Sequence, residues 1–122
     1  AAAGEAAVIY GDGEQARDFT VVADAVAANL AAATAPAAVA GKAFNVAAGH
    51  AVSVNELAAR VRELGGGGPA PEHRAARPGD VRWSLADLDL VRRTLAWQPR
   101  VALEEGLART AEWFAAPGPT AG

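Results

Sequence analysis

The sequence predicts an α/β fold, with short strands alternating with helices, on three observations. Two brief apolar runs, residues 7–10 and 43–46, each end in turn residues, as strands entering loops do. Between and after them the apolar spacing changes to three and four residues, the period of a helix. Ser53-Val54-Asn55-Glu56 places Ser at an N-cap and Glu three residues later, the capping box that opens a helix. Two alternating periods in one chain are the pattern of α/β architecture.

The elements follow in order. Residues 7–10 read as a strand ending at the turn Gly11-Asp12-Gly13, and the β-rich stretch 18–22 as a second extended segment. Val22, Val26 and Leu30, spaced by four in an Ala-rich background, predict a helix over 24–33 with Asp24 as N-cap. Pro36 ends it. Residues 43–46 are short and nearly all apolar, as suits a buried strand in a parallel sheet. After the capping box, Leu57, Val61 and Leu64 line one face of a helix that Gly65 caps; Val52 and Leu57 stand where a hydrophobic staple packs. Residues 69–82 are a polar connection rich in Pro and Arg. Ser84-Leu85-Ala86-Asp87 opens a helix carrying Leu88, Val91 and Leu95, stopped by Trp97-Gln98-Pro99. A last helix over 103–114 shows Leu103, Leu107, Ala111 and Phe114 on one side. Residues 1–116 form the predicted folded portion and 117–122 a disordered tail.

Composition narrows the function. Hydrophobic residues make up 52% of the 122, but much of that is Ala, so a core built from this chain alone is thin. The sequence has no Met, even at position 1, and its first residues carry no signal peptide; a piece of a longer protein is expected. Net charge of −3 argues against nonspecific nucleic-acid binding. The most apolar stretch, 22–40, is interrupted by Asp24, Asn29 and Pro36, so no membrane span is expected. With no Cys, disulfide and thiolate chemistry are excluded; a cytoplasmic location is expected.

Several motifs have two readings. Gly11-Asp12-Gly13-Glu14-Gln15-Ala16 matches the G-x-G-x-x-G/A dinucleotide pattern, but Asp12 and Glu14 would set carboxylates against a pyrophosphate, and the continuation looks extended rather than helical. It is rejected as a cofactor site. Gly65 to Gly68 lacks the Lys-Ser/Thr ending of a P-loop and reads as a connector. His50 and His73 have no second ligand at a metal-site spacing, so no metal is expected, and His73 reads as an exposed loop residue. Arg17 follows a Gly-rich loop and its planar fork suits a phosphate; the plainer reading is a surface pair with Asp18. Arg74, Arg77 and Arg82 around Asp80 are either a nucleoside-diphosphate reader or a solvated Arg-rich loop.

Taken together, these pieces resemble a known family. Residues 9–19 with Val22 and Asp24, then Phe44-Asn45-Val46 and Val52-Ser53-Val54-Asn55-Glu56-Leu57, then Arg77-Pro78-Gly79-Asp80-Val81-Arg82 with Ser84 and Asp87, and finally Leu103-Glu104-Glu105-Gly106-Leu107 with Trp113-Phe114, are collinear with the C-terminal part of extended short-chain dehydrogenases, the NAD-dependent epimerase/dehydratase family. The nearest subgroup is similar to UDP-glucose 4-epimerases. The resemblance implies the C-terminal part of a Rossmann-type fold, a UDP-sugar or related nucleotide sugar as substrate, NAD in the intact parent enzyme, a missing N-terminal Rossmann half and a parent that can be a homodimer. It implies that Arg17 and Arg77 contact the diphosphate and Asp80 the ribose. Related dehydratases, decarboxylases and reductases are the alternatives within the superfamily, and a non-catalytic binding module is the alternative outside it. Departures from the family pattern are Val21 and Ala23, Ala47-Ala48 after Asn45, and Ala102 in place of a helix-capping Ser or Thr, a loss of about 1 kcal/mol.

The family's catalytic Tyr-x-x-x-Lys pair is not in this sequence. Tyr10 is the one Tyr and is followed four residues later by Glu14; Lys42 is the one Lys and is preceded four residues earlier by Ala38. No catalytic or cofactor-binding residue is therefore assigned. The 122-residue chain is predicted to show no epimerase turnover with added NAD. Conversion of UDP-glucose to UDP-galactose by the purified chain, followed by chromatography, would refute this.

Overall fold

The run Val8-Ile9-Tyr10 forms β1 (Val8–Tyr10), as its apolar character predicts. The computed structural model describes residues 4–116. In it β1 lies parallel to β4 (Glu72–Arg74), pairing Val8 with Glu72, Ile9 with His73 and Tyr10 with Arg74. Ile9 is buried and all of β4 is exposed. This corrects the polar connection expected over 69–82. Three polar residues carry no alternation, so the strand exists because β1 offers it an edge. His73, expected in a loop, stands in that strand with Nδ1 2.9 Å from the Gly11 carbonyl oxygen.

A second strand appears at β2 (Ala16–Arg17), earlier than the extended stretch expected at 18–22. It pairs antiparallel with β3 (Val52–Ser53). The β-branched residues that suggested the later strand are taken into a helix start instead. Val21 has extended backbone as N-cap, and α1 runs Val22–Ala33, two residues longer at its N-terminus than predicted. Asp24 is not the cap. It is buried in the first turn, where its carboxylate accepts the backbone N–H groups of Arg100 at 2.9 Å and Val101 at 3.1 Å.

The face of α1 is also corrected. Val22, Val26 and Leu30 are 76%, 52% and 64% exposed, whereas Asp24 and Ala28 are buried. Periodicity marks a helix without saying which ridge packs. Here the Ala ridge does, its small side chains letting α1 approach a core of Ala28, Ala47, Leu88, Val91 and Trp97. Residues 43–46 pair with no strand among the described residues, contrary to the expectation. They keep a strand's alternation, with Phe44 and Val46 half-buried against that core and Ala43 and Asn45 exposed. A strand assignment requires a neighbouring strand, and the described residues supply none.

The capping box is in place. Ser53 caps α2 (Val54–Leu64), its hydroxyl accepting the Glu56 N–H at 3.1 Å, and Gly65 is the C-cap, donating to the Val61 carbonyl. Of the predicted apolar face, Leu57 is half-buried while Val61 and Leu64 are exposed. The helix expected from Ser84 starts later, as α3 (Asp89–Leu95). Asp87 supplies its entry by accepting the Asp89 N–H at 2.8 Å. Leu88 and Val91 are buried as expected; Ala96 in the left-handed region ends the helix and turns Trp97 inward. The last helix, α4 (Leu103–Ala115), packs on α2 and starts at uncapped Ala102. Leu103 is buried, but Phe114 is 74% exposed and stacks edge-on against Trp113, which corrects its predicted place on the packed side. The tail expected at 117–122 lies outside the described residues. No helix among those described is long and apolar enough to cross a membrane.

Asp24 ties the start of α1 to the entry of α4, so its loss leaves two partly buried amides without an acceptor. Asp24→Ala is expected to destabilise the protein by about 1–3 kcal/mol for each group left unpaired. Asp24→Asn, which keeps one acceptor oxygen, should cost less. Urea unfolding checks both; an unchanged midpoint for Asp24→Ala refutes the role.

Candidate functional site

The site is organised by β2. Ala16 is buried, and its other edge faces the Arg-rich loop: its N–H donates to the Arg82 carbonyl at 2.9 Å and its carbonyl accepts the Ser84 N–H at 3.1 Å. That clamp brings the loop beside Arg17. Arg17 Nη2 reaches Asp80 Oδ1 at 2.6 Å, and Nη1 donates to the carbonyls of Ala16 and Val81. Arg17 thus pairs with Asp80, a residue 63 positions away, and not with its neighbour Asp18 as the plainer expectation had it.

Arg77 and Asp80 stand at the two ends of one turn. The Asp80 N–H donates to the Arg77 carbonyl at 3.3 Å, Pro78 sits at the second position and Gly79 at the third with φ +81. This is the sequence pattern of a type II turn, whose third position requires φ > 0 and so selects Gly. The turn couples Arg77 to Asp80, and Asp80 is coupled to Arg17. All three candidate residues therefore belong to one connected unit.

Three residues gain roles the sequence did not suggest. Asp18 accepts the N–H groups of Ala48 at 2.8 Å, Gly49 at 3.1 Å and, at 3.4 Å, Ala86, so it gathers two distant loops. Beside it opens a cleft of about 440 Å³ bordered by Arg17, Thr20, Asn45, Ser84 and Asp87 among others. Tyr10 lies under Arg77, whose guanidinium carbon is 3.8 Å from the ring centroid. Hydrogen bonding from Arg77, then its charge, with a smaller contribution from Arg74, lowers the phenol pKa from its ordinary 10.0. Asp12 takes Arg82 at 2.8 Å; that contact, reinforced by the Glu14 N–H, holds the Asp12 carboxyl below its usual 3.8. The signal for these pairings is long-range and invisible to spacing.

The Gly11–Gly13 loop is used structurally. A Cβ on Gly13 would stand 1.9 Å from Asn55 Oδ1, because Asn55 at the start of α2 folds back to bond the Asp12 carbonyl at 2.9 Å and Glu14 at 2.7 Å. The loop leads into β2 and not into a helix. Among the described residues no three His, Cys, Asp or Glu side chains are grouped to hold a metal. Among the same residues Arg17, Arg74 and Arg82 have carboxylate partners, while Arg77 has none.

With this geometry in view, comparison with known proteins is informative. The sequence model of the GDP-mannose 4,6 dehydratase family matches residues 1–110. The chain belongs to the NAD-dependent epimerase/dehydratase family. It is 41% identical over 112 residues to the UDP-glucose 4-epimerase of Mycolicibacterium smegmatis, covering 92% of this chain and 35% of that protein. Among solved structures it is similar to the UDP-glucose 4-epimerase of Thermotoga maritima with UDP-glucose, at 39% identity and TM-score 0.86, covering 93% of this chain and 36% of the other. It is also similar to MoeE5 in complex with UDP-glucuronic acid and NAD, at 42% identity and TM-score 0.84, covering 93% and 38%. The extended short-chain dehydrogenase fold predicted from the sequence is thus established, and this family member spans about a third of the length of the relatives it matches.

Because Tyr10 is the single tyrosine of this sequence, its coupling to Arg77 can be read directly. Ultraviolet titration of the 122-residue chain should show a phenol ionising below 10.0, and Arg77→Ala should move it back up. A phenol unaffected by Arg77→Ala would mean that the stacked pair does not form in solution.

Proposed function

We propose that this chain is the nucleotide-sugar-binding portion of an NAD-dependent 4-epimerase acting on UDP-sugars, and that Arg17, Arg77 and Asp80 grip the nucleoside diphosphate. The observation that carries this is the linkage of the three residues through one turn, with Arg77 lacking a carboxylate partner among the described residues. The Arg77 guanidinium carbon lies 3.8 Å from the Tyr10 ring centroid, and among the described residues no carboxylate takes its donors, so they can turn to an anion. Arg17 is poised between Asp80 and backbone carbonyls; a phosphate would compete for the same donors and release the Asp80 carboxylate to accept from a ribose hydroxyl. Each charge-assisted bond of this kind is worth about 1.5–3 kcal/mol.

The catalytic pair and the NAD site belong, on this reading, to a further portion of the enzyme, which can be homodimeric. NAD supplies the hydride acceptor and donor there, while the residues of this chain hold the substrate by its nucleotide end. A second reading, a nucleotide-sugar dehydratase, is favoured by the family model that matches. The residues named here would hold the nucleotide in either enzyme. Product analysis of the complete gene product with UDP-glucose and dTDP-glucose separates the two.

In the complete gene product, Arg77→Ala should weaken UDP-sugar binding about tenfold to a hundredfold, as loss of one such bond implies. Asp80→Ala should weaken ribose nucleotides more than their 2′-deoxy analogues, which lack one hydrogen-bonding partner. NAD affinity should be unchanged in both. Calorimetric titration reads all three, and undiminished UDP-sugar affinity in Arg77→Ala refutes the site.

A further inference from the structure

Arg17 and Arg77 are not equally open to an anion. Both terminal amino groups of Arg17 are engaged: Nη2 donates to Asp80 Oδ1 at 2.6 Å, and Nη1 donates to the carbonyls of Ala16 and Val81. Arg77 has no carboxylate partner among the described residues. One guanidinium is therefore open to an arriving anion, while the other already holds one, the Asp80 carboxylate.

The backbone that carries Asp80 has little room to withdraw. Its own N–H donates to the Arg77 carbonyl at 3.3 Å, and two residues on the Arg82 carbonyl accepts the N–H of buried Ala16 at 2.9 Å. An anion arriving at Arg17 Nη2 must then turn the Asp80 side chain aside while the main chain stays in place. The displaced carboxylate needs a new donor. Arg82 is already paired with Asp12 at 2.8 Å. Without a donor, Asp80 stands as a second negative charge beside the incoming one, and like charges at that range repel. A ligand with paired hydroxyls next to its phosphates brings the donor with it.

We infer that Asp80 is a selectivity gate on the diphosphate site: it holds Arg17 against inorganic anions and yields to a nucleoside diphosphate, whose ribose hydroxyls give the displaced carboxylate a partner. The inference deepens the functional reading above and rests on it, since it takes Arg17, Arg77 and Asp80 as that site. One carboxylate thus acts against one class of ligand and in favour of another. Inorganic pyrophosphate carries the charge that the two arginines attract but no hydroxyls, so it breaks the Asp80–Arg17 bond without replacing it. A ribonucleotide breaks the same bond and supplies a replacement. Discrimination of this kind comes from an element that disfavours the wrong ligand as much as from contacts to the right one.

Calorimetric titration of the complete gene product with inorganic pyrophosphate tests the gate. Asp80→Asn keeps the size of the side chain and removes its charge; Asp80→Ala removes the carboxylate altogether. Each should bind pyrophosphate about three- to tenfold more tightly than the unaltered protein, as release of one partly exposed charge-assisted bond implies. Each should bind UDP-glucose more weakly, because the ribose loses its partner. The pyrophosphate gain should vanish when Asp80→Asn is made in an Arg17→Ala background, where there is no contact to release. Pyrophosphate affinity that does not rise in either Asp80 variant, or that is immeasurable in all of them, overturns the inference. So does a gain of equal size without Arg17, because Asp80 would then act through its field alone, and so do pyrophosphate and UDP-glucose affinities that rise together. Titration of Arg77→Ala with UDP-glucose keeps the two proposals separate. Weakened UDP-glucose binding there, with no pyrophosphate gain in the Asp80 variants, refutes the gate alone; undiminished UDP-glucose binding in Arg77→Ala refutes the functional reading.

Discussion

A strand of two residues bears an unusual share of this architecture. β2 is paired on both edges, with β3 on one side and, through the N–H and carbonyl of Ala16, with the Arg82–Ser84 stretch on the other. Because Ala16 is buried, water cannot replace those bonds without exposing it, and the Arg-rich loop is fixed against β2. The next residue, Arg17, can then meet Asp80, and Asp18 can draw in the amides of residues 48, 49 and 86. Three consecutive residues thus join two stretches far away in sequence, 48–53 and 80–86. The clamp explains how a chain with few bulky side chains orders a polar loop.

The electrostatics follow from that clamp. The chain is acidic overall, yet its loop from 74 to 82 carries three arginines. Two of them are partnered by carboxylates, Arg82 by Asp12 of the Gly11–Gly13 turn and Arg74 by Glu72 of its own strand, and these exposed pairs contribute little to stability. The consequence of the Arg82–Asp12 pair is positional: it holds one flank of the loop while the turn at Pro78-Gly79 presents Arg77 and Asp80. A guanidinium held over a tyrosine ring is restricted in rotamer, so less entropy is lost when it meets an anion. A nucleotide-gripping role matches this preorganised arrangement better than a freely solvated arginine loop does.

Asp24 joins the start of α1 to the entry of α4 by accepting the main-chain amides of Arg100 and Val101, and the Ala ridge of α1 completes a small core. The larger side chains of α1 remain outside it. A core of alanines allows close helix approach but buries little apolar area per residue, so much of the hydrophobic stabilisation this helix can contribute is left unused within these residues. Residues 43–46 repeat that pattern in their backbone, extended and half-buried without strand partners.

Local chemistry was legible in the sequence: the β1 run, the Ser53–Glu56 cap, the ends of the helices near Gly65 and Trp97, and the family that these pieces in order resemble. Each depends on neighbours within a few residues, where side-chain type acts directly on backbone preference. Tertiary contacts decided the rest. Which ridge of α1 packs depends on what lies opposite, and a period of four residues is the same whether Val26 faces core or water. That Asp24 serves residues 100 and 101, that Glu72-His73-Arg74 is a strand, and that Arg17 prefers Asp80 to Asp18 are all matters of partners more than 40 positions away. Hydrogen-bond donors and charges announce in sequence that they need partners; only the fold, by bringing distant backbone to within about 3 Å, selects which ones they receive.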